Sequence, residues 1–285
     1  MGRYRFIGFL TDFGLAAESV GICKGVIKRI NPEVEIIDIS HGVPPFDVAA
    51  GALSLAGAVP YLPVSVVLAV VDPGVGSDRQ ALAVEVARGD VLVGPDNGLL
   101  LPAAAELGGI VRVHRLENEE YRLHPVSATF HARDVFAPAA AYLSLGIDLA
   151  RLGPAVSAPD LVPAPWQDRW WEPPEEVRET RVMAKIIGFD QYGSARLDVR
   201  LPVRAPRPHP GGGGRVVTVR VEDGERAFRL PWVRTYSDAP VGEACLLVDS
   251  DGRLLIAVNQ GSAREKLRLN RGTTLLLAVA PLSRG

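Results

Sequence analysis

Short apolar runs alternate with amphipathic segments over roughly the first 150 residues of the chain. Runs rich in Val, Ile, Leu and Phe predict strands, and apolar residues at helical spacing predict helices. The predicted strands are residues 5–12, 33–40, 64–72, 80–87, 90–96 and 109–116, and the predicted helices are residues 18–30, 46–59, 98–107 and 134–145. This alternation is typical of an α/β domain, here a Rossmann-like domain with a mostly parallel sheet.

The pattern changes after residue 180, where helical spacing disappears. Short β-type runs follow one another, namely VMAKIIGF, VVTVRV, RAFRLPWV, ACLLVDS, RLLIAV and TTLLLAV. Closely spaced strands of this kind predict a small antiparallel β-barrel or sandwich, of which we favour the barrel. The segment between the two patterns is rich in proline and tryptophan. We therefore predict an N-terminal α/β domain at residues 1–163, a linker at 164–179 and a C-terminal β-barrel domain at 180–285.

Composition narrows the class of protein. The 285 residues are 47% hydrophobic and 22% charged, which is ordinary for a globular protein and unlike a disordered chain. The formal net charge of −2 provides no field to attract a polyanion, so we expect no nucleic-acid partner. No apolar run is long enough to span a bilayer and the N-terminus lacks a signal-peptide pattern, so we expect a cytoplasmic protein with no membrane partner. Two cysteines, Cys23 and Cys245, are too few for a disulfide scaffold and predict buried free thiols.

Three of the apolar runs end in an aspartate followed by a turn. These are FIGFLTDFG with Asp12, VVLAVVDPGVG with Asp72 and VLVGPDNG with Asp96. The carboxyl ends of parallel strands share one edge of a sheet, so the carboxylates are expected to converge on a polar crevice there. A single aspartate after a strand is a turn former or helix cap about as often as it is a binding-site residue, and each of the three keeps that alternative.

Two further side chains supply chemistry to such a crevice. Arg79 follows Asp72 closely enough to lie beside it, and His131 lies in the segment TFHARD. The glycines after Asp72 are too few for a dinucleotide fingerprint, and an acid at their mouth repels phosphate. An ionised carboxylate instead suits the two donors of a ribose diol. No paired-Cys or HxxxH spacing supports a metal site, so we expect neither a metal nor another cofactor.

Several motifs together resemble a known family. The strings LTDFG, SVGICKGVI, VVDPGVGSDR, VGPDNGLL and TFHARDVFAP resemble the S-adenosylmethionine (SAM) hydrolases that form adenosine, also called SAM hydroxide adenosyltransferases, which are related to fluorinase and chlorinase. Weaker matches, FDQYGS, TYSDAPVGE and NQGSA, extend the resemblance into the C-terminal domain. The resemblance implies a homotrimer of two-domain subunits with active sites between neighbouring subunits. It also implies hydrolysis of SAM to adenosine and L-methionine by attack of water on the ribose C5′.

The resemblance assigns roles to individual residues. Its catalytic Asp, Arg and His correspond to Asp72, Arg79 and His131. The implied substrate-binding residues are Asp12 for the ribose, Ser19 and Asp190 for the methionine amino group, Phe46 and Tyr236 for the nucleoside, and Ser250 for the methionine carboxylate. Two positions depart from the family pattern. Ser194 stands where an asparagine amide is usual near the nucleoside, and Asp251 stands where some relatives carry a basic residue.

The chemistry leaves alternatives open. The sulfonium already activates the leaving group, so the site has only to orient water and take up its proton, and Arg79 favours hydroxide character while Asp72 and His131 accept or relay the proton. A halogenase of the chlorinase or fluorinase kind is the first alternative, although an ionised Asp72 would repel a halide. A non-catalytic module that binds adenosine or SAM is the second. A nucleoside-handling enzyme with another leaving group is the third.

Overall fold

The computed structural model describes residues 3–172, 180–202, 216–222 and 224–279. The chain divides into two compact units, residues 1–165 and residues 166–285. The first is an α/β unit, and the described residues of the second are mainly strands, with a short α-helix and a 3-10 turn, so the predicted fold class is confirmed.

A seven-stranded mixed sheet forms the centre of the first unit, with strand order β2-β1-β3-β5-β4-β6-β7. Its strands are β1 Phe6–Thr11, β2 Glu35–Ser40, β3 Val66–Val70, β4 Ala81–Val86, β5 Val91–Pro95, β6 Ile110–Arg115 and β7 Ala155–Val156. Strands β2, β1, β3 and β5 are parallel, whereas β4, β6 and β7 are antiparallel to their neighbours. The sheet is parallel in one half, and that half carries Asp12 and Asp72.

Four helices of the first unit are α1 Ser19–Ile30, α2 Val48–Ala58, α3 Leu101–Glu106 and α4 Ala137–Leu145, and a π-helical turn, Ala132–Phe136, precedes α4. Helix α1 buries Val20, Cys23 and Ile27 on one face, as its apolar spacing predicts. It ends at Ile30, and Asn31 before the proline is extended, as expected. Helix α2 begins at Asp47, whose carboxylate accepts a hydrogen bond from the Ala50 amide and so caps the first turn.

The second unit is an antiparallel sheet that nearly closes into a barrel, with order β12-β11-β15-β9-β10-β14-β13. Its strands are β8 Arg169–Trp170, β9 Thr180–Phe189, β10 Ala195–Arg200, β11 Val216–Val221, β12 Ala227–Pro231, β13 Ala244–Val248, β14 Arg253–Val258 and β15 Thr274–Val279, with one short helix, α5 Ala263–Lys266. Trp232, just after β12, forms a bridge with Leu246 of β13 and brings the two end strands together. Alternate residues of each strand point inward and form one apolar core.

Residues 166–172 of the predicted linker belong to the second unit. Strand β8 pairs with β10, and the Trp171 ring stacks on Trp232 at a centroid distance of 5.7 Å. Asp168 binds the buried guanidinium of Arg253 at 2.7 Å and accepts a hydrogen bond from the Trp166 indole. These contacts fix residues 166–171 on the barrel. Residues 173–179 of the predicted linker lie outside the described residues.

Both cysteines are buried free thiols, as expected from their number. Burial raises the pKa of the Cys23 thiol to about 12 and that of the Cys245 thiol to about 11. Both side chains therefore pack as small apolar groups. Within the described parts of the chain, no helix has the length and apolar character needed to cross a bilayer.

Candidate active site

Asp12 and Asp72 lie at the same edge of the parallel half-sheet. Strands β1 and β3 are neighbours in parallel register, with Thr11 opposite Val70, and each aspartate follows its strand by one or two residues. The Asp12 carboxylate accepts a hydrogen bond of 2.8 Å from the Phe46 amide. This contact draws the loop before α2 over the strand ends, and Phe46 takes a left-handed backbone conformation with φ of 66°. The predicted convergence of carboxylates holds for these two residues.

Asp72, Arg79 and His131 form one hydrogen-bonded cluster. The Arg79 Nε and Nη2 donate to the two Asp72 carboxylate oxygens, with Nη2–Oδ2 at 2.6 Å and Nε–Oδ1 at 3.0 Å. The same Nη2 lies 2.8 Å from Nδ1 of His131. The side chains of Asp72 and Arg79 are only 6% and 10% exposed, so the pair is shielded from water. The guanidinium also lies over the Phe136 ring, 5.2 Å from its centroid, which fixes its plane.

The contact with Arg79 sets the proton position on His131. A guanidinium has no acceptor, so Nδ1 of His131 accepts the hydrogen bond and carries no proton. A neutral imidazole in this arrangement carries its proton on Nε2. Burial, together with the Arg79 charge, lowers the pKa of His131 from its ordinary value of 6.5, which favours the neutral ring. His131 therefore holds Arg79 on one side and offers an N–H donor on the other.

These residues border a cavity of about 260 Å³ in the first unit. Asp72 and His131 line it, and Arg79 contacts both of them without being a lining residue. Asp12 and Phe46 line the same cavity. The remaining lining residues are Phe13, Pro45, Val70, Val75, Thr129, Phe130 and Ala132. The cavity thus combines an apolar, aromatic lining with two carboxylates and one imidazole.

The third strand-end aspartate does not join this cavity, contrary to the sequence prediction. Asp96 is 7% exposed, and its carboxylate accepts a hydrogen bond of 3.0 Å from the Val162 amide. Burial raises the pKa of this carboxyl. Strand β5 is parallel to β3 and follows the antiparallel β4 in the chain. In the turn after β5, the Asp96 carboxylate is held by the segment at residue 162. Asp96 thus has a structural role, but its partner lies 66 residues away and not in the turn or helix that the alternative interpretation expected.

Ser19, predicted to hold the methionine amino group, is the first residue of α1 and is half-buried. It is not among the lining residues of the cavity around Asp72. Sequence reasoning in turn missed Phe13 and Phe130, whose rings meet edge to face at 6.1 Å and line the cavity. Both neighbour recognised site residues, Asp12 and His131, and that proximity is the signal that could have identified them.

The second unit has a cavity of its own, of about 300 Å³, on the outer side of the barrel. Three predicted substrate-binding residues line it: Asp190, Tyr236 and Ser250. Ser194 lies beside it, 3% exposed, and its amide donates to the Asp190 carboxylate at 2.9 Å. The Tyr192 amide donates to the same carboxylate oxygen, so Asp190 closes the turn after β9. The other lining residues are Arg196, Arg234, Thr235, Leu247, Val248, Asp249 and Leu255.

The fold and the two cavities define a two-domain protein with an α/β unit that carries an acid, a guanidinium and an imidazole, and a β-barrel unit that carries a second polar cavity. Comparison with known proteins identifies its family. Residues 7–153 match the SAM hydroxide adenosyltransferase N-terminal domain and residues 184–276 match the corresponding C-terminal domain. The chain belongs to the SAM hydroxide adenosyltransferase family.

Individual relatives agree with this assignment. The chain is 43% identical over 272 residues to the (R)-S-adenosyl-L-methionine hydrolase of Salinispora tropica, a match that covers 95% of this chain and 96% of the relative. The crystal structure of a conserved protein from Thermotoga maritima superposes with a TM-score of 0.79 at 35% identity and covers 95% of this chain and 99% of that one. A fluorinase of an Actinoplanes species is more distant, at 26% identity over 298 residues, covering 96% of this chain and 97% of the relative.

Proposed function

We propose that the protein hydrolyses S-adenosyl-L-methionine to adenosine and L-methionine by attack of water on the ribose C5′. The observation that carries the proposal is the cluster of Asp72, Arg79 and His131 beside a cavity that Asp12 and Phe46 also line. The (R)-S-adenosyl-L-methionine hydrolases among the relatives, at 43% identity for that of Salinispora tropica, support the same activity.

The first cavity suits the nucleoside end of the substrate. The Asp12 carboxylate still has acceptor capacity beyond the Phe46 amide, so it can accept hydrogen bonds from the ribose hydroxyls. Phe13, Phe46 and Phe130 offer apolar faces to the base and sugar. In the proposed complex, C5′ lies at the Asp72 and His131 side of the cavity.

The reaction needs a stronger nucleophile rather than a better leaving group. The C5′–S bond breaks with its electron pair on sulfur, so methionine leaves as a neutral thioether while a C5′–O bond forms. Water has a pKa of roughly 15.7 in bulk, and its proton must be taken up as the new bond forms. Oδ1 of Asp72 accepts a single close hydrogen bond from Arg79 Nε and has room for one more, so we assign proton acceptance to Asp72.

Arg79 and His131 assist this proton transfer without taking up the proton themselves. Arg79 fixes the Asp72 carboxylate by a two-point contact and places a positive charge close to the water, which stabilises developing hydroxide. The Nε2–H of neutral His131 is a donor that can hold the water oxygen in line with the C5′–S bond. Positioning at about 3 to 3.5 Å from the carbon supplies much of the acceleration.

Product analysis tests the proposed function directly. Purified protein incubated with SAM is expected to release adenosine, methionine and one proton per turnover, measured by mass spectrometry and pH-stat titration. Activity is expected to survive dialysis against EDTA, because the sulfonium leaving group needs no Lewis acid. Recovery of intact SAM after long incubation would instead indicate a binding module. Halide-dependent formation of a 5′-halo-adenosine, without adenosine, would indicate a halogenase.

The homotrimer with active sites between subunits is part of this proposal, and the family resemblance supports it. Such a trimer would let one subunit supply the nucleoside cavity and a neighbour the methionine cavity. Sedimentation equilibrium measures the assembly directly. The cytoplasmic location expected from the sequence also stays a prediction, which cell fractionation tests.

A further inference from the structure

The cavity of the second unit is lined by two charged side chains that each have a buried polar atom with no hydrogen-bond partner among the described residues, Arg196 and Asp249. Arg196 lines the cavity, and its side chain is partly buried. Its Nε is the buried atom that lacks a hydrogen-bond partner in the part of the chain that the structure describes. A guanidinium left unpaired in a partly buried position carries a desolvation cost, which an anionic ligand would offset.

The strand pattern explains why Arg196 faces this cavity. In β10 the neighbouring residues Ala195 and Leu197 are fully buried in the barrel core. Because successive side chains of a strand alternate, Arg196 projects from the outer face. There it lies opposite Leu255 of β14, which is also a lining residue.

An acceptor group faces the same cavity. Asp249 accepts hydrogen bonds from the Asp251 and Arg253 amides through Oδ1, but its buried Oδ2 has no partner among the described residues. Burial, and then the neighbouring Asp251 charge, raise the pKa of the Asp249 carboxyl, while the Arg196 charge acts in the opposite direction. The cavity therefore offers one unpaired cationic donor and one unpaired acceptor.

This pairing of charges matches a zwitterion rather than a simple anion or cation. An α-amino acid presents a carboxylate and an ammonium on adjacent atoms, and the cavity provides a guanidinium for the first and the carboxylates of Asp190 and Asp249 for the second. Asp251, next to Ser250, cannot bind a carboxylate with its own side chain, because an ionised carboxylate has no donor to offer.

We propose that Arg196 binds the substrate's α-carboxylate in the second-unit cavity and determines specificity for an intact amino-acid group over its decarboxylated analogue. The proposal rests on the proposed function and names the residue that recognises one end of the substrate. Arg234 lines the same cavity, but it is exposed, and a guanidinium in water gains less from pairing than a partly buried one.

The test compares two substrates, SAM and decarboxylated SAM, which share the sulfonium and the nucleoside. For the unaltered protein, kcat/KM for adenosine release is expected to be roughly 10- to 100-fold lower with the decarboxylated substrate, the range typical of losing a hydrogen bond to a charged group. Arg196→Met is expected to lower kcat/KM for SAM by about the same factor and to leave the decarboxylated substrate nearly unaffected, so that the discrimination disappears. Arg196→Lys is expected to retain part of the discrimination, because an ammonium keeps the positive charge but cannot make the two parallel hydrogen bonds of a guanidinium.

Two control variants separate this role from a general effect. Arg220→Met replaces an exposed strand arginine of the same unit that does not line the cavity, and it should discriminate like the unaltered protein. Arg234→Met should also keep most of the discrimination. If Arg234→Met loses the discrimination between the two substrates and Arg196→Met keeps it, the proposal is overturned.

Calorimetric titration with L-methionine and with methioninamide gives a second readout that does not need turnover. The unaltered protein is expected to bind L-methionine more tightly, and Arg196→Met is expected to bind both equally. If the unaltered protein releases no adenosine from SAM, the proposed function fails while this titration still decides the role of Arg196. If Arg196→Met does not fold, judged by circular dichroism, Arg196→Lys carries the test, and undiminished discrimination in that variant contradicts the proposal.

Discussion

At the scale of single residues, the candidate active site depends on one guanidinium with two partners. Arg79 holds Asp72 through two nitrogens and His131 through one of the same two. The contact leaves Asp72 as an acceptor and His131 as a neutral donor. Assignments of acid and base at this site therefore follow from the fixed charge of Arg79 rather than from the imidazole alone.

Asp72→Asn tests the proton acceptor. The amide keeps the shape of the side chain but no longer takes up a proton, so kcat is expected to fall by about 10²- to 10⁴-fold while adenosine still binds. Steady-state kinetics and calorimetric titration with adenosine measure the two effects. Asp78→Asn, at an exposed position of the same loop, is the matched control and should leave both unchanged. Near-normal turnover by Asp72→Asn would remove Asp72 from the proposed mechanism.

The lowered pKa of His131 predicts the acid side of the pH profile. Since burial and Arg79 favour the neutral ring, kcat/KM is expected to hold its plateau through pH 6.5 and to fall only at more acidic pH. Arg79→Met removes one of the causes and should raise the pKa of His131, measured from the imidazole proton shifts in NMR titrations. A His131 that titrates above 6.5 in the unaltered protein would contradict this account.

The same shift has a consequence for stability. As the pH falls, the unfolded chain binds the His131 proton first, because its pKa is higher there than in the folded protein. The contribution of His131 to the free energy of unfolding is therefore complete above pH 6.5 and decreases as the pH falls from 6.5 towards the folded-state pKa. Denaturant unfolding of the protein and of His131→Gln across this range measures the contribution.

At the scale of elements, the loop from β3 to β4 carries both Asp72 and Arg79. Gly76 lies at its tip with φ of +80°, and a Cβ there would come within 2.5 Å of the Ala128 carbonyl oxygen. This close approach holds the loop against the segment that leads to His131. The loop is thus positioned by backbone packing as well as by the ion pair.

Gly76→Ala is expected to reduce both stability and turnover. The left-handed conformation alone costs a residue with a Cβ roughly 1–2 kcal/mol, and the clash with backbone adds to that cost and shifts the loop. Gly89→Ala is the control, since φ there is +98° but the nearest atom to a Cβ is a Val64 methyl at an ordinary 3.8 Å. It should lower the melting temperature with little change in kcat/KM. Equal turnover in the two variants would show that the loop does not depend on this contact.

Periodicity and spacing predicted much of the first unit. Alternating runs gave the strands that carry Asp12 and Asp72, and the short distance from Asp72 to Arg79 in the chain predicted their contact. The contact with His131, 52 residues further on, cannot follow from spacing and was implied only by family resemblance. Asp96 was misplaced because the strand-end rule places a residue at an edge of the sheet but does not say which way its side chain turns, and this carboxylate binds the Val162 amide.

The cavity of the second unit was less accessible to sequence reasoning. Asp190, Tyr236 and Ser250 were implied by resemblance, whereas Arg196 and Asp249 lie in ordinary strand and turn sequence. The alternation of Ala195 and Leu197 around Arg196 indicates an outward side chain, but it does not say which neighbours that side chain meets. Only the packing of β10 against β14 supplies that information.

At the scale of the whole molecule, the proposed trimer makes a prediction that a monomeric enzyme does not. If one subunit supplies the nucleoside cavity and its neighbour the methionine cavity, two different inactive variants should complement each other. Co-expressed Asp72→Asn and Asp190→Asn are expected to show more adenosine release than the sum of the two variants alone, because some sites receive an intact cavity from each subunit. Activity equal to that sum would place both cavities of a site in one subunit.

The burial of both thiols matters for a protein that is proposed to hold a sulfonium. SAM is an alkylating agent, and the groups it modifies most readily are thiolates. With pKa values of about 12 and 11 and no access to solvent, Cys23 and Cys245 present almost no thiolate at neutral pH. At neutral pH, both thiols are therefore expected to react only slowly with the protein's own substrate and with oxidants.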